Sequence, residues 1–226
     1  MSYTLESWDP DVDFDAWYTD ATGERIRARL DSLRVRTVLE IGCATGRMTA
    51  QLYPGRDRRV LAMDLDAGML ARAQARGLPD VDWIQGDVVN LRPEDERLRP
   101  FQAILCCSVL HEVESPSQIL WAARALLAAR GVIFVTVPSA SSLHFEGHPH
   151  VGARGQSYGV RRLWTLDEWA RQLTNGTGLE VAYAGEMMAK PWPNERMATL
   201  DPHLLAFLAS YRGPGGALCF FELEAR

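Results

Sequence analysis

Short apolar runs alternate with segments of helical periodicity along most of the chain. Five of these runs have the composition of buried strands, and they begin near residues 38, 59, 81, 101 and 131. Apolar residues at helical spacing occupy residues 16–34, 47–52, 69–73 and 117–129. This alternation predicts an α/β fold with a doubly wound parallel sheet, in which ligands bind at the carboxyl ends of the strands.

The last third of the chain departs from this pattern. A long segment at 138–163 precedes a predicted helix at 166–173, where Thr165 and Glu168 have the spacing of a capping box. A sixth strand is predicted at 178–185, a helix at 201–211 and a last strand at 216–223. Since loops as long as 138–163 are usually functional or disordered in compact domains, we expect this loop to bind an acceptor substrate.

Size and charge narrow the class of protein. The chain has 226 residues, of which 47% are hydrophobic, and its net charge is −5. We therefore expect one domain over residues 1–226, and no nucleic-acid partner, because phosphate contacts need clustered Lys and Arg. No targeting presequence and no apolar run of about 18 residues is visible, so we expect a cytoplasmic protein with no membrane partner.

The cysteines and histidines do not form a recognisable metal site. The four cysteines form no Cys-x-x-Cys pair, and no histidine follows at zinc spacing. Three of the four, Cys106, Cys107 and Cys219, lie in apolar strand-like runs, which favours buried packing residues. Three histidines lie within seven residues at 144–150, but they lack the carboxylate spacing of a metal site, so we expect no metal.

A glycine turn follows the first predicted strand. Gly42 comes directly after the strand and Gly46 lies four residues later, at the start of a helical segment. This spacing differs from the Gly-x-Gly-x-x-Gly dinucleotide fingerprint, and no lysine follows as in a P-loop. Glu40 precedes the turn, where its carboxylate could accept a hydrogen bond from a cationic ligand group, directly or through water.

The sequence from Glu40 to Gly46, Glu-Ile-Gly-Cys-Ala-Thr-Gly, resembles the first motif of the class I S-adenosylmethionine-dependent methyltransferases. The sequence from Met63 to Leu70, Met-Asp-Leu-Asp-Ala-Gly-Met-Leu, resembles their second motif. This resemblance implies a Rossmann-like sheet of seven strands in the order 3-2-1-4-5-7-6, with the last strand antiparallel. It also implies N-terminal lid helices over 1–35, S-adenosyl-L-methionine as cofactor and S-adenosyl-L-homocysteine as product.

The resemblance assigns a donor contact to each strand end. In the family, an acid after the second strand binds the ribose hydroxyls, which implies Asp64. Asp64 and Asp66 also have the position of a helix cap, and both roles can hold together if Asp66 caps the helix and Asp64 binds the ribose. An acid after the third strand binds the adenine amino group, which implies Asp87, although an Asp in this position is often a turn residue. The implied donor contacts are Glu40, Gly42, Cys43, Ala44, Gly46, Asp64, Leu65, Asp87, Val88, Ser108 and the lid residue Tyr18, whose ring could also be a packing residue.

The acceptor side is less well determined. Family members commonly carry a histidine at the position of Glu112, whereas here it comes one residue earlier, at His111. The sequence from Pro138 to His144 resembles a small-molecule subgroup, but Val160 replaces a histidine that the subgroup carries. We take His144 and His111 as candidates for the general base, because imidazole titrates near neutral pH. The candidate acceptor contacts are His148, Tyr158, Trp164 and Met188, of which Met188 could equally belong to the core.

These features predict a methyltransferase that acts on an oxygen or nitrogen of a small biosynthetic acceptor. The alternatives are a tRNA or protein methyltransferase and a regulatory protein that binds the donor without transferring the methyl group. A nicotinamide-dependent oxidoreductase is disfavoured by the glycine spacing. We expect a monomer or a homodimer.

Overall fold

The fold is an α/β sandwich in which helices cover both faces of one sheet. The computed structural model describes residues 16–52, 57–91, 98, 100–142, 162–189 and 199–226. In chain order the elements are α1 (Ala16–Ser32), β1 (Thr37–Ile41), α2 (Arg47–Leu52), β2 (Arg59–Asp64), α3 (Ala67–Ala75), β3 (Val81–Gln85), β4 (Phe101–Cys107), α4 (Pro116–Leu126), β5 (Leu127–Pro138), α5 (Leu166–Thr174), β6 (Leu179–Met187), α6 (Pro202–Ser210) and β7 (Leu218–Ala225). A 3₁₀ turn, Val88–Asn90, follows β3.

The seven strands form one sheet in the order β3-β2-β1-β4-β5-β7-β6. Strands β1 to β5 pair in parallel, whereas β7 runs antiparallel between β5 and β6. This order and the antiparallel last strand confirm the predicted topology. The carboxyl ends of β1, β2, β3 and β4 therefore meet at one edge of the sheet.

Two layers of apolar side chains hold the helices against the sheet. Successive strand residues point to opposite faces, so Ile104 and Cys106 of β4 join one layer, while Ala103 and Leu105 join the other. Helices α4 and α5 cover the first layer, and Trp169 is its largest buried side chain. Helices α1 and α2 cover the second layer. Burial on both faces explains why the parallel strands are nearly continuous apolar runs.

The predicted helix at 117–129 differs from the structure at its end. Helix α4 ends at Leu126, and β5 begins at Leu127, which pairs with Phe101 of β4. The register then shifts, because the next paired residues are Ala103 and Val132. An apolar pattern of two leucines and two alanines suits a helix as well as a strand, and the pairing with β4 decides the outcome.

The capping signal at the start of α5 is confirmed. Thr165 and Glu168 form the predicted capping box at the start of α5, with the Glu168 carboxylate accepting from the Thr165 amide at 2.8 Å. The cysteines are free thiols. Cys106 and Cys219 are buried as predicted, and Cys43 is buried too, whereas Cys107 is only partly buried. Among the described helices, none combines the length and apolar character that a membrane span requires.

Candidate functional site

The turn between β1 and α2 is held against the end of β2. The amides of Gly42 and Cys43 both donate to the carbonyl oxygen of Met63, at 2.9 Å each. Gly42 has a φ of 74°, and a Cβ built on it would lie 2.4 Å from Cγ2 of Val109 in the loop after β4. Only glycine fits this position, because a side chain would strain the backbone and clash with Val109.

Glu40 places a buried carboxylate directly before this turn. Its side chain accepts a hydrogen bond of 2.6 Å from the hydroxyl of Thr49 on α2, and the residue is only 3% exposed. Burial, and to a smaller extent the nearby charge of Asp64, raise the pKa of Glu40 to about 8, although the hydrogen bond from Thr49 lowers it. No cationic side chain pairs with Glu40 among the described residues. A buried carboxylate of this kind suits a ligand that brings its own positive charge.

Asp64 joins the end of β2 to the glycine turn. Its Oδ2 accepts from the amide of Ala44 at 2.8 Å, and its Oδ1 accepts from the amide of Asp66 at 2.9 Å. Burial raises the pKa of Asp64, while these two amides oppose the shift. Each carboxylate oxygen can accept a second hydrogen bond, so Asp64 retains the capacity to bind two ligand hydroxyls.

The neighbouring Asp66 has a structural role. Its Oδ1 accepts from the amide of Met69 at 2.8 Å and caps the N-terminus of α3. The expectation that Asp66 caps the helix is confirmed, and the assignment of Asp64 to a ligand stays a prediction. Leu65, which lies between the two acids, is 58% exposed.

Asp87 follows β3 at the same edge of the sheet. Its Oδ1 accepts from the amide of Val89 at 3.0 Å and caps the 3₁₀ turn, within which Val88 is buried. Asp87 therefore does have the turn role that was considered as an alternative, and its second oxygen makes only a long contact of 3.4 Å with Nδ2 of Asn90. A ligand amino group could still reach this carboxylate, so the donor assignment of Asp87 also stays a prediction.

The loop after β4 brings a histidine and a glutamate together. Ser108 has a φ of 56° and donates its amide to the carbonyl oxygen of Thr136 on β5, at 2.9 Å. Three residues later, Nε2 of His111 lies 3.1 Å from Oε1 of Glu112, and both side chains are largely buried. Nδ1 of His111 is buried and has no hydrogen-bond partner. An orphaned ring nitrogen of this kind is uncommon in a folded protein and marks a candidate for function.

Another buried carboxylate lies where β5 and β6 end and β7 begins, and the sequence analysis did not identify it. Glu186 of β6 accepts a hydrogen bond from the hydroxyl of Ser139 and another of 2.7 Å from the amide of Gly215. The Ser139 hydroxyl also accepts from the amide of Ser141 at 3.1 Å. Glu186 thus anchors the first residues of the segment 138–163. The same strand carries Glu180, so the presence of a charged residue in β6 did not single out Glu186.

The predicted acceptor residues have different positions. Trp164 packs edge-on against Trp169, with ring centroids 4.6 Å apart, and forms a bridge with Ser139. Met188 does not line an open wall: it is fully buried in the layer beneath α1, so we assign it to the core. His144, His148 and Tyr158 lie outside the described residues, as does the side chain of Tyr18, although Tyr18 is part of α1.

Taken together, these residues suit a ligand with a cationic group, a pair of vicinal hydroxyls and a planar base. Glu40 supplies a carboxylate that lacks a cation, Asp64 retains free lone pairs, and the exposed Leu65 offers an apolar surface. The narrow turn at Gly42 lets the backbone approach such a ligand closely. In the described part of the chain, no group of three His, Cys, Asp or Glu side chains could hold a metal ion.

Comparison with known proteins agrees with this geometry. A family model described as a methyltransferase domain matches residues 38–131. The chain is 28% identical over 195 residues to a ubiquinone biosynthesis O-methyltransferase from Xylella fastidiosa, covering 78% of this chain and 75% of the relative. It is 44% identical over 57 residues to a trans-aconitate 2-methyltransferase from Deinococcus radiodurans, but this match spans 24% of the chain and only 21% of that protein.

The fold is also similar to solved structures. The magnesium protoporphyrin IX methyltransferase from Synechocystis, which was solved with bound S-adenosylhomocysteine, superposes with a TM-score of 0.65 at 12% identity. This superposition covers 92% of the present chain and 83% of the other. At this identity the likeness concerns the fold alone.

Proposed function

We propose that this chain, which belongs to the class I S-adenosylmethionine-dependent methyltransferases, transfers a methyl group from S-adenosyl-L-methionine to an oxygen or nitrogen of a small biosynthetic acceptor. The product of the donor is S-adenosyl-L-homocysteine. The observation that carries the proposal is the buried carboxylate of Glu40, which has no cationic partner among the described residues and lies directly before the glycine turn.

The residues at the strand ends would hold the donor in one orientation. Glu40 would accept from its ammonium group, directly or through water, and Asp64 would accept from its two ribose hydroxyls. Asp87 and the amide of Val88 would bind the edge of its base, against which the exposed Leu65 would pack. The backbone from Gly42 to Gly46 would lie along the donor, with Ser108 at the end of β4 as a further contact. The sulfonium of the bound donor supplies an electrophilic methyl group, so the protein's main task is to align the acceptor with it.

We assign His111 as the general base for a hydroxyl acceptor. Glu112 accepts most readily from the ring nitrogen 3.1 Å away, which fixes the hydrogen on Nε2. Nδ1 then carries the lone pair and can take the acceptor's proton. Nδ1 is buried in the ligand-free protein, so the acceptor would have to displace the groups that cover it. His144 remains the second candidate, and it lies outside the described residues.

A small-molecule acceptor is supported by the relatives and by the charge of the chain. The relatives from Xylella and Deinococcus are named for ubiquinone biosynthesis and for trans-aconitate, and both names refer to small organic molecules. The net charge of −5 disfavours a polyanionic substrate such as tRNA.

Calorimetric titration with S-adenosyl-L-methionine, S-adenosyl-L-homocysteine and NAD tests the donor. We expect the first two to saturate one site and NAD not to bind; binding of NAD alone would refute the proposal. A donor with a radiolabelled methyl group should then be offered to catechols, to small polycarboxylates, to bulk tRNA and to a mixture of proteins. Labelling of a catechol or a polycarboxylate supports the proposed acceptor class, whereas labelling of tRNA or protein alone overturns it.

A further inference from the structure

A cavity of about 510 Å³ lies between α1, β7 and the residues that follow α6. Three arginines line it, namely Arg25 and Arg29 of α1 and Arg212, together with Glu222 of β7. We infer that this chain binds the carboxylate or phosphate group of a small organic anion in this cavity, between Arg25 and Arg212, apart from the site that would bind the methyl donor. The cavity is open to solvent, since Glu24, Ala28 and Arg212 of its lining are exposed.

Arg25 is held in place but is not neutralised. Its Cζ lies 4.4 Å from the centroid of the Phe220 ring and 5.1 Å from that of Tyr183, so two aromatic rings fix the guanidinium group. Its Nε is buried and has no hydrogen-bond partner. Glu24 also lines the cavity, but neither it nor any other carboxylate of the described residues forms an ion pair with Arg25. A buried donor without an acceptor is costly unless a ligand supplies one.

Arg29, in contrast, already has a partner. Its Nε donates to Oε2 of Glu222 at 2.8 Å, and the Glu222 side chain is largely buried. The only buried carboxylate of the cavity is therefore occupied by Arg29 and is not within bonding distance of Arg25. The positive charge of Arg25 is therefore not neutralised by any carboxylate of the described residues.

Arg212 adds a second positive charge. Its Nη1 donates to the carbonyl oxygens of Ala209 and Tyr211, at 2.8 and 2.6 Å, and no carboxylate of the described residues pairs with it. Arg212 is exposed, but it lines the same cavity as Arg25. Partial burial and the charge of Arg25 lower the pKa of Arg212. Two like charges that line one cavity repel each other, and an oxyanion between them would reduce this repulsion.

The chemistry of the two side chains selects the class of ligand. A guanidinium group is planar and presents its N–H donors in a fixed fork that matches two oxygens of a carboxylate or a phosphate. The rings of Tyr183 and Phe220 beside Arg25 add apolar surface for the organic part of the ligand.

This cavity is separate from the glycine turn. Strand β7 lies three positions from β1 in the sheet, which corresponds to about 14 Å at the usual strand spacing. Glu222 pairs with Phe134 in the middle of β5, whereas the glycine turn follows the end of β1. Binding in the cavity and binding of the methyl donor can therefore be measured independently.

Isothermal titration with citrate and with inorganic phosphate, at low ionic strength, tests the inference on the full chain. We expect saturable binding of at least one of them, and the tighter of the two identifies a carboxylate or a phosphate as the preferred group. Arg25→Gln and Arg212→Gln should each weaken this binding at least about tenfold, because each removes a charge-assisted hydrogen bond. Arg27→Gln changes the same charge on the same helix outside the cavity and should bind like the wild type.

Folding of each variant is checked by circular dichroism, which does not depend on either ligand. The inference is overturned if neither anion binds saturably to the wild type. It is equally overturned if folded Arg25→Gln and Arg212→Gln bind as tightly as the wild type, or if Arg27→Gln is weakened as much as they are. None of these outcomes bears on the donor titrations, so failure of this site and failure of the proposed methyl transfer are distinguishable.

Discussion

Thr49 of α2 donates a hydrogen bond of 2.6 Å to the carboxylate of Glu40 on β1, and both side chains are buried. This bond opposes the effect of burial on the pKa of Glu40 but does not cancel it, so the pKa remains near 8. The ligand-free protein therefore holds a mainly protonated carboxyl group at neutral pH, beside the turn where a cationic donor is proposed to bind. Binding a cation at this position is linked to the loss of a proton.

The first prediction concerns that proton. At pH 7, binding of S-adenosyl-L-methionine should release close to one proton, because the ammonium group of the donor favours the ionised form of Glu40. At pH 9 the release should fall towards zero, since Glu40 is then already ionised. Calorimetry in buffers of different ionisation enthalpy measures the number of protons released. Glu40→Gln should abolish the pH-dependent release and weaken donor binding about 10- to 100-fold, and Glu180→Gln, an exposed change on β6, should leave both unchanged.

The same group makes stability depend on pH. The pKa of Glu40 is higher in the folded protein, about 8, than its ordinary value of 4.5, so the folded state binds the extra proton. This contribution to stability is fully present below pH 4.5 and is lost as the pH rises through about 8. At low pH, the protonation of Glu40 contributes about 3–5 kcal/mol to the unfolding free energy. Urea unfolding of the ligand-free protein should show a steeper decline across this window for the wild type than for Glu40→Gln; identical slopes would contradict the assignment.

The glycine turn allows steric exclusion to be separated from backbone strain. Gly42 and Gly77 both have positive φ angles, of 74° and 63°, but a Cβ on Gly77 would meet nothing within 4 Å. We expect Gly77→Ala to lower the unfolding free energy by about 1 kcal/mol through strain alone. Gly42→Ala should cost more and should also lose donor binding, because its Cβ would meet Val109. Adding Val109→Ala to Gly42→Ala should recover part of the stability, and an equal effect of the two glycine changes would refute the steric argument.

Asp64 and Asp66 provide a matched pair on one loop. Asp64→Ala should reduce donor affinity while the protein still folds, whereas Asp66→Ala should remove the cap of α3, lower the unfolding free energy by about 1 kcal/mol and leave donor affinity nearly unchanged. Calorimetry and urea unfolding measured on both variants give the comparison. If Asp64→Ala binds the donor as tightly as the wild type, the ribose assignment is wrong.

The strands of the sheet could be predicted from the sequence wherever burial alone sets their residue pattern. The second strand was predicted to begin near residue 59, and β2 begins there, because a strand buried on both faces is a continuous apolar run. The boundary between α4 and β5 was wrong, because Leu127 matches either pattern and its pairing with Phe101 is a contact between distant parts of the chain. The sequence left two positions open for Met188, because the wall of an apolar binding pocket and a layer of the hydrophobic core consist of the same residue types.

The candidate site could be predicted only in part. Acids at the ends of successive parallel strands converge by topology, and the resemblance to the methyltransferase motifs is what assigned Glu40, Asp64 and Asp87 to the donor. Their contacts with the donor stay predictions. The contacts of Glu186 with Ser139 and of Arg29 with Glu222 join residues far apart in sequence, and no local pattern marks either pair. The same holds for the cavity at Arg25, whose character depends on which carboxylates are already paired.

The last prediction concerns the base. If Glu112 fixes the hydrogen of His111 on Nε2, Nδ1 is the atom that takes the proton of a hydroxyl acceptor. Replacement of His111 by alanine should then lower kcat at least about 100-fold, with donor affinity close to that of the wild type. Glu112→Gln should lower kcat less and shift the pH profile, because its amide can still contact the ring but lacks the negative charge that favours this tautomer. His144→Ala is the decisive comparison, since it tests the second candidate base under the same conditions. The assignment is wrong if His111→Ala keeps full turnover across neutral pH while His144→Ala loses both turnover and the pH dependence of kcat. In that case the base is His144, and the buried pair of His111 and Glu112 is structural.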